Sequence, residues 1–219
     1  MTHVVDLHFD YVRVFMCDDI SSLIIKLAKS QHPEIIDITL KLILKVAIKA
    51  QDLNCNLKCF IDKGLLVEMK DLFNKFTQPC LNILIEISSL NYNDIISHGF
   101  LPILIDILET NSCKDFKRDV IYILVNLRLS CKSIIEMIVS NIIGYLEEIL
   151  KDREAKSTYV TINLLYTMTR SLNGNAQHLQ FFRNEISCSK ILKYVKKYCG
   201  HNDAVLCDYC NYIIGSLNL

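Results

Sequence analysis

The feature that most restricts what this chain can fold into is a repeated set of apolar offsets. Behind Gly99, positions +1, +2, +5, +8 and +9 are Phe100, Leu101, Leu104, Ile107 and Leu108. Behind Gly64, 35 residues earlier, the same offsets give Leu65, Leu66, Met69, Leu72 and Phe73. Behind Asn141, 42 residues later, they give Ile142, Ile143, Leu146, Ile149 and Leu150. Spacings of three and four put such residues on one face of a helix. Gly and Asn are the residues that best tolerate the left-handed backbone ending a helix, so each marker predicts one helix closing just before another opens. Self-similarity at this period is the signature of a stacked helical array, in which no unit can bury its apolar faces alone.

A second pattern agrees with the first. Within Asn91–Leu129, Gly99 follows Ser97-His98, Pro102 falls in the first turn of the next helix, and Asn111-Ser112 interrupts before Asp115 opens a third. That third helix carries Val120, Leu124 and Leu127 on one face, with Arg118, Tyr122 and Asn126 in a polar stripe on another. The apolar triplet corresponds to Thr39/Ile43/Val46, Cys80/Leu84/Ile87, Thr161/Leu165/Met168 and Cys210/Ile214/Leu217 elsewhere. The expected organisation is one domain of five units: 1–50, 51–90, 91–131, 132–173 and 174–219. The terminal units are the irregular ones, as caps of a stack are. Residues 3–15 fit strand or helix equally well, and the segment from Asn184 to Val195 fits only with an insertion of about two residues. Ser171–Asn175 is the most turn-like stretch.

Composition supports an all-α reading. Apolar residues make up 51% of 219, while Gly (6) and Pro (3) are scarce. Net charge is zero, so no global field draws nucleic acid or an anionic membrane. No apolar run reaches the roughly 18–20 residues of a transmembrane helix, and MTHVVDLHFDYVRV carries charge where a signal peptide would be apolar. The ten Cys lie largely in apolar helical segments, which favours free thiols in a reducing cytoplasm, or nucleus, over a disulfide framework.

The stretch IISHGFLPILIDILETNSCKDFKRDVIYILVNL resembles an armadillo repeat from the end of its first helix to the end of its third. HEAT repeats are the neighbouring alternative; a three-helix unit with a glycine turn favours armadillo. The resemblance implies a right-handed α-solenoid, a superhelix of about five three-helix repeats whose third helices line a concave groove. In peptide-binding members an Asn ladder there grips an extended peptide backbone, flanked by Trp one turn earlier. An Asn amide offers donor and acceptor together, matching a peptide unit whatever its sequence. Carried over, the ladder and flanking slots are Asn126 and Tyr122 in the third unit, Glu86 and Asn82 in the second, and Thr167 and Asn163 in the fourth. The first unit has Lys45 and Lys41 there, and the fifth Ser216 and Tyr212. One ladder Asn is retained and the chain has no Trp, which argues against a nuclear-localisation-signal receptor. One turn further back the stripe continues through Asp37, Gln78, Arg118, Tyr159 and Asp208. Polar and tyrosine-bearing throughout, it suits recognition, Tyr combining an apolar body with a hydrogen-bonding tip.

Chemistry has little purchase. There is no glycine-rich phosphate loop, GxSxG or HExxH. Cys199, His201, Cys207 and Cys210 could in principle supply zinc ligands, but Cys210 occupies a core position and the ligands do not form two separated pairs. Cys55 and Cys59 sit at helical spacing, as packing residues or bystanders. The expectation is therefore a non-enzymatic adaptor or scaffold with no cofactor and no metal. Its partner is another protein, as an extended segment or a folded surface, bound at Arg118, Tyr122, Asn126, Asn82, Glu86, Asn163, Thr167, Tyr159 and Tyr212, with neither nucleic acid nor membrane insertion. Alternative readings are a chaperone-regulating nucleotide-exchange factor and a structural subunit of a larger assembly. Lys190, Lys193, Lys196 and Lys197 form a basic face on the second helix of the last unit.

Overall fold

A computed structural model describes residues 12, 14–152 and 154–217, and among them every regular element is an α-helix. Val12, Val14 and Phe15 are helical; the rest of the ambiguous 3–15 segment lies outside the described residues. The helices are α1 (Asp18–Ala28), α2 (Pro33–Asp52), α3 (Lys58–Asp62), α4 (Leu65–Leu72), α5 (Thr77–Ile87), α6 (Tyr92–Ser97) and α7 (Phe100–Thr110). They continue with α8 (Lys114–Asn126), α9 (Cys131–Val139), α10 (Ile142–Asp152), α11 (Ala155–Leu172), α12 (Ala176–Cys188), α13 (Ile191–Tyr198) and α14 (Ala204–Leu217). The chain divides into two compact units, 1–101 and 102–219, the boundary falling inside α7.

The three marker residues behave alike. Gly64, Gly99 and Asn141 have φ of 97°, 73° and 63°, and each stands immediately before the second helix of a triplet. Such φ values are strained for any residue with a Cβ other than Asn or Asp. At Gly99 an added Cβ would meet only Lys70 Nζ, at an ordinary 3.6 Å. Gly99→Ala is therefore expected to cost about 1 kcal/mol through backbone strain alone, read as a lower denaturation midpoint with an unchanged helical spectrum. A loss well above that would mean a steric clash instead.

In unit 1–101, α2 packs along α5, α1 lies on α2, α3 and α4, and α4 leads into α5. Ile43 and Val46 of α2 and Cys80, Leu84 and Ile87 of α5 are buried on these faces. Phe73 and Phe100 close one end of this core with ring centroids 6.1 Å apart. The first helices α3 and α6 are joined by polar contacts. Buried Asn91 accepts the Leu57 N–H at 3.2 Å, and Lys58 Nζ reaches Asp94 at 2.9 Å. Burial would raise the Asp94 carboxyl, but the bonds from Lys58 and Asn91 and the nearby positive charge hold it below its ordinary value.

In unit 102–219 like helices of successive triplets stack on one another. Long α11 lies between α8 and α14, α13 lies on α10, and α12 on α9. This like-on-like stacking is the arrangement in which the apolar faces of successive three-helix units complete one another. Thr161, Leu165 and Met168 of α11 are fully buried, as are Val120, Leu124 and Leu127. The last triplet departs by one position. On α14 the buried residues are Leu206, Cys210, Ile213 and Leu217, while Ile214 is only half-buried. Among its described residues the last unit also has no left-handed marker. α12 ends at Ser189 in extended conformation (φ −99°, ψ 173°), which accounts for the irregular register there. The predicted turn at 171–175 is shorter than expected: Ser171 and Leu172 belong to α11, and Asn175 caps α12 by accepting the His178 N–H at 3.0 Å.

Candidate functional site

The third helix of each triplet buries one face and carries a polar stripe on another; on α2 Ile35, Ile38 and Ile48 are exposed as well. In unit 1–101 these helices are α2 and α5. Lys41 pairs with Asp37 one turn back at 2.6 Å, and Gln78 Nε2 donates to Asn82 Oδ1 at 2.7 Å. Asn82 and Glu86 are half-buried on α5. Burial, followed by the negative charge of Asp52, pushes the Glu86 carboxyl above its ordinary value. A carboxyl raised by folding is disfavoured as its anion. The folded chain then holds more protons than the unfolded one between the two values, and stability falls as pH rises through that window. Glu86→Gln should remove this decline, so that its denaturation midpoint gains on the wild type from the unfolded carboxylate range upward. A pH-independent difference between the two would contradict the assignment.

In unit 102–219 the neighbouring third helices α8, α11 and α14 bring together most of the residues expected from sequence. Tyr122 on α8 is 44% exposed, and Asn126 ends the same helix, half-buried. Arg118 sits in the stripe, but its guanidinium is engaged by Asp115 at 2.9 Å and Asp119 at 3.6 Å. Half-buried Tyr159, Asn163 and Thr167 follow on α11, with Thr167 Oγ1 donating to the Asn163 carbonyl at 2.9 Å. On α14, Tyr212 accepts from Asn173 Nδ2 at 3.4 Å.

Two residues that sequence reasoning did not single out complete this face. Tyr166 stacks on Tyr209 with centroids 4.3 Å apart and meets Tyr212 edge-on at 5.1 Å, while Tyr159 lies 6.5 Å from Tyr209. Four tyrosines from α11 and α14 thus form one cluster. Burial, with Tyr159 and Tyr166 close by, raises the Tyr209 phenol. Tyr166 is seven residues beyond Tyr159 and Tyr209 three before Tyr212, spacings that share a helical face and could have revealed them.

Beside the stripe lies a cleft of about 610 Å³ between the starts of α8 and α11 and the end of α10. Its cations face carboxylates: Lys114 and Asp152 at 2.6 Å, Lys117 and Glu148 at 3.2 Å. Glu154 accepts from the Ser157 hydroxyl and caps α11 by accepting the Ser157 N–H at 2.9 Å, and these bonds hold its carboxyl below the ordinary value.

Cys199, Cys207 and Cys210 meet at the α13–α14 corner as free thiols, with Cys207 Sγ donating to the Cys199 carbonyl at 2.6 Å. Burial pushes Cys210 up to about 12 and raises Cys199, so neither thiol is activated. His201 Nδ1 accepts from the Asp203 N–H at 3.1 Å. Among the described residues no group of three or more His, Cys, Asp or Glu is arranged to hold a metal ion. Cys59 lies in α3, whereas Cys55 precedes it in an exposed non-helical stretch, so the two do not share a helix. Nor is any helix among the described residues long and apolar enough to cross a membrane.

No family model matches the sequence. A search of curated proteins finds no match either. Solved structures do match over nearly the whole chain. A designed armadillo repeat protein in complex with the peptide (KR)4 superposes with TM-score 0.75 at 13% identity, covering 99% of this chain and 90% of that one. A second designed armadillo repeat protein gives TM-score 0.78 at 12% identity, covering 98% and 89%. A computationally designed armadillo repeat protein for modular peptide recognition gives TM-score 0.75 at 12% identity, covering 97% and 88%. Residue offsets, helix stacking and these superpositions agree: the chain has the all-α, armadillo-like repeat solenoid fold.

Proposed function

We propose that this protein is a non-enzymatic interaction scaffold of the cytoplasm or nucleus, a single array of five armadillo-like units, that holds a segment of another protein against its third-helix faces. The observation that carries the reading is the face of α8, α11 and α14. There Tyr122 stands exposed and four further tyrosines cluster beside Asn163 and Thr167. Large, rigid side chains with hydrogen-bonding tips give contact area at little entropic cost and dominate binding energy in many interfaces. Asn126, Asn163 and, in the other unit, Asn82 supply amides able to pair with a peptide backbone. Arg118, Glu86, Thr167, Tyr159 and Tyr212 complete the proposed contact set. The buried Thr39 and Thr169 hydroxyls are engaged by carbonyls of their own helices. The two peptide-related designed proteins with the same fold lend the reading further support.

Affinity capture from cell lysate, with wild type beside Tyr122→Ala/Asn126→Ala, tests it. Partners lost only by the variant support the proposal. Capture of the same set by both rejects this face as the site.

A further inference from the structure

We infer that the outward face of α13 is a second docking surface, for an acidic protein segment, separate from the third-helix face. From Ser187 to Asn202 the chain carries no acidic residue, yet four lysines fall within it in a protein of zero net charge. Lys190, Lys193, Lys196 and Lys197 are all exposed. Elsewhere lysines commonly find carboxylates: Lys29, Lys41, Lys58, Lys63, Lys114 and Lys117 each lie within 4.0 Å of one. Among the described residues none of these four lysines, Lys190 capping α13 and the other three within it, does. Glu147 is the acid that reaches this helix. Its carboxylate accepts the Lys190 backbone N–H at 2.8 Å, and so stabilises the helix start.

Lys190, Lys193 and Lys197 are spaced three and four apart and share one face, rising about 4.5 and 6 Å along the axis. Alternate side chains of an extended strand recur every ~6.6 Å on one side, so an acidic segment can set successive carboxylates against successive lysines. Like charges at these spacings repel one another within a helix, and an acidic partner relieves that cost.

Three observations favour an acidic peptide over the other anionic partners. Ile191 and Val195 are fully buried, so the apolar side of α13 is committed to the core and cannot enter a lipid surface. Tyr194 is already covered by Lys197, whose Nζ lies 5.8 Å from the ring, which removes the natural platform for stacking a base. The patch is one two-turn helix without an Arg fork, suited to a few point charges and not to a duplex backbone.

The test is a fluorescence anisotropy titration of the full chain with a short labelled poly-glutamate peptide, at low and at physiological ionic strength. Wild type is expected to bind saturably at low ionic strength and more weakly as salt is added. Lys190→Glu/Lys193→Glu/Lys197→Glu is expected to bind about tenfold more weakly or worse. Lys190→Gln/Lys193→Gln/Lys197→Gln should fall between the two, and serves alone if charge reversal disturbs the helical spectrum. Tyr122→Ala/Asn126→Ala should bind the peptide as wild type does. Equal affinity of the glutamine variant, absence of saturation by wild type at low ionic strength, or tighter binding of a single-stranded oligonucleotide or of anionic vesicles would overturn the inference.

Discussion

Leu165→Ala lowers the stability of unit 102–219 by about 3 kcal/mol, within the usual range for truncating a fully buried leucine. Leu165 is fully buried on α11, which lies between α8 and α14. The lost methyl groups therefore leave a void walled on both sides by other third helices, which cannot close it without moving a whole layer. A domain has only about 5–15 kcal/mol in hand, so the change shifts the urea midpoint strongly. In a stacked array stability is carried by each unit and its immediate neighbours. Hydrogen-exchange protection should accordingly fall most in α8, α11 and α14, and less in α2 and α5. A loss below about 1 kcal/mol, or protection falling evenly along the chain, would contradict the stacking energetics described above.

Tyr122→Ala/Asn126→Ala weakens a partner captured by the wild type by about 2–4 kcal/mol, or roughly thirty- to a thousandfold in Kd. Tyr122 is 44% exposed, so its ring gains burial only when a partner covers it, and its removal costs the free protein little. Asn126 ends α8 beside Leu127, the buried residue that closes the apolar triplet. Its truncation tests the amide without touching that core. The helical spectrum should be unchanged and the melting temperature nearly so. A double variant that keeps wild-type affinity for every captured partner would remove α8 from the binding face. A large drop in melting temperature would instead assign the pair to the fold.

The fold was legible because its strictest demands are local. A left-handed residue before each second helix admits few residue types, and Gly64, Gly99 and Asn141 display that restriction openly. The apolar triplets followed from the same logic for four third helices. The fifth read one residue off, because Ile213 and Ile214 satisfy the spacings of three and four equally and only packing against α13 and α11 selects Ile213. The end of α12 was obscure for a related reason: Ser189 turns the chain in extended backbone, which almost any residue can adopt. At the site, the stripe of one residue per turn found Tyr159 and Tyr212 but not Tyr166 and Tyr209. These two sit beside the stripe and become neighbours only when α11 meets α14. Pairing within a helix, such as Arg118 with Asp115 and Asp119, also depends on rotamers that no spacing specifies.

The most direct test of the central claim is site-specific photo-crosslinking in cells. A photoreactive phenylalanine analogue replaces Tyr122 on the third-helix face in one protein, and Val139, 72% exposed at the end of first helix α9, in another. The analogue at position 122 is expected to crosslink to a discrete segment of a partner protein, and the analogue at 139 is not. Crosslinks to a partner from position 139, with none from 122, would contradict that claim.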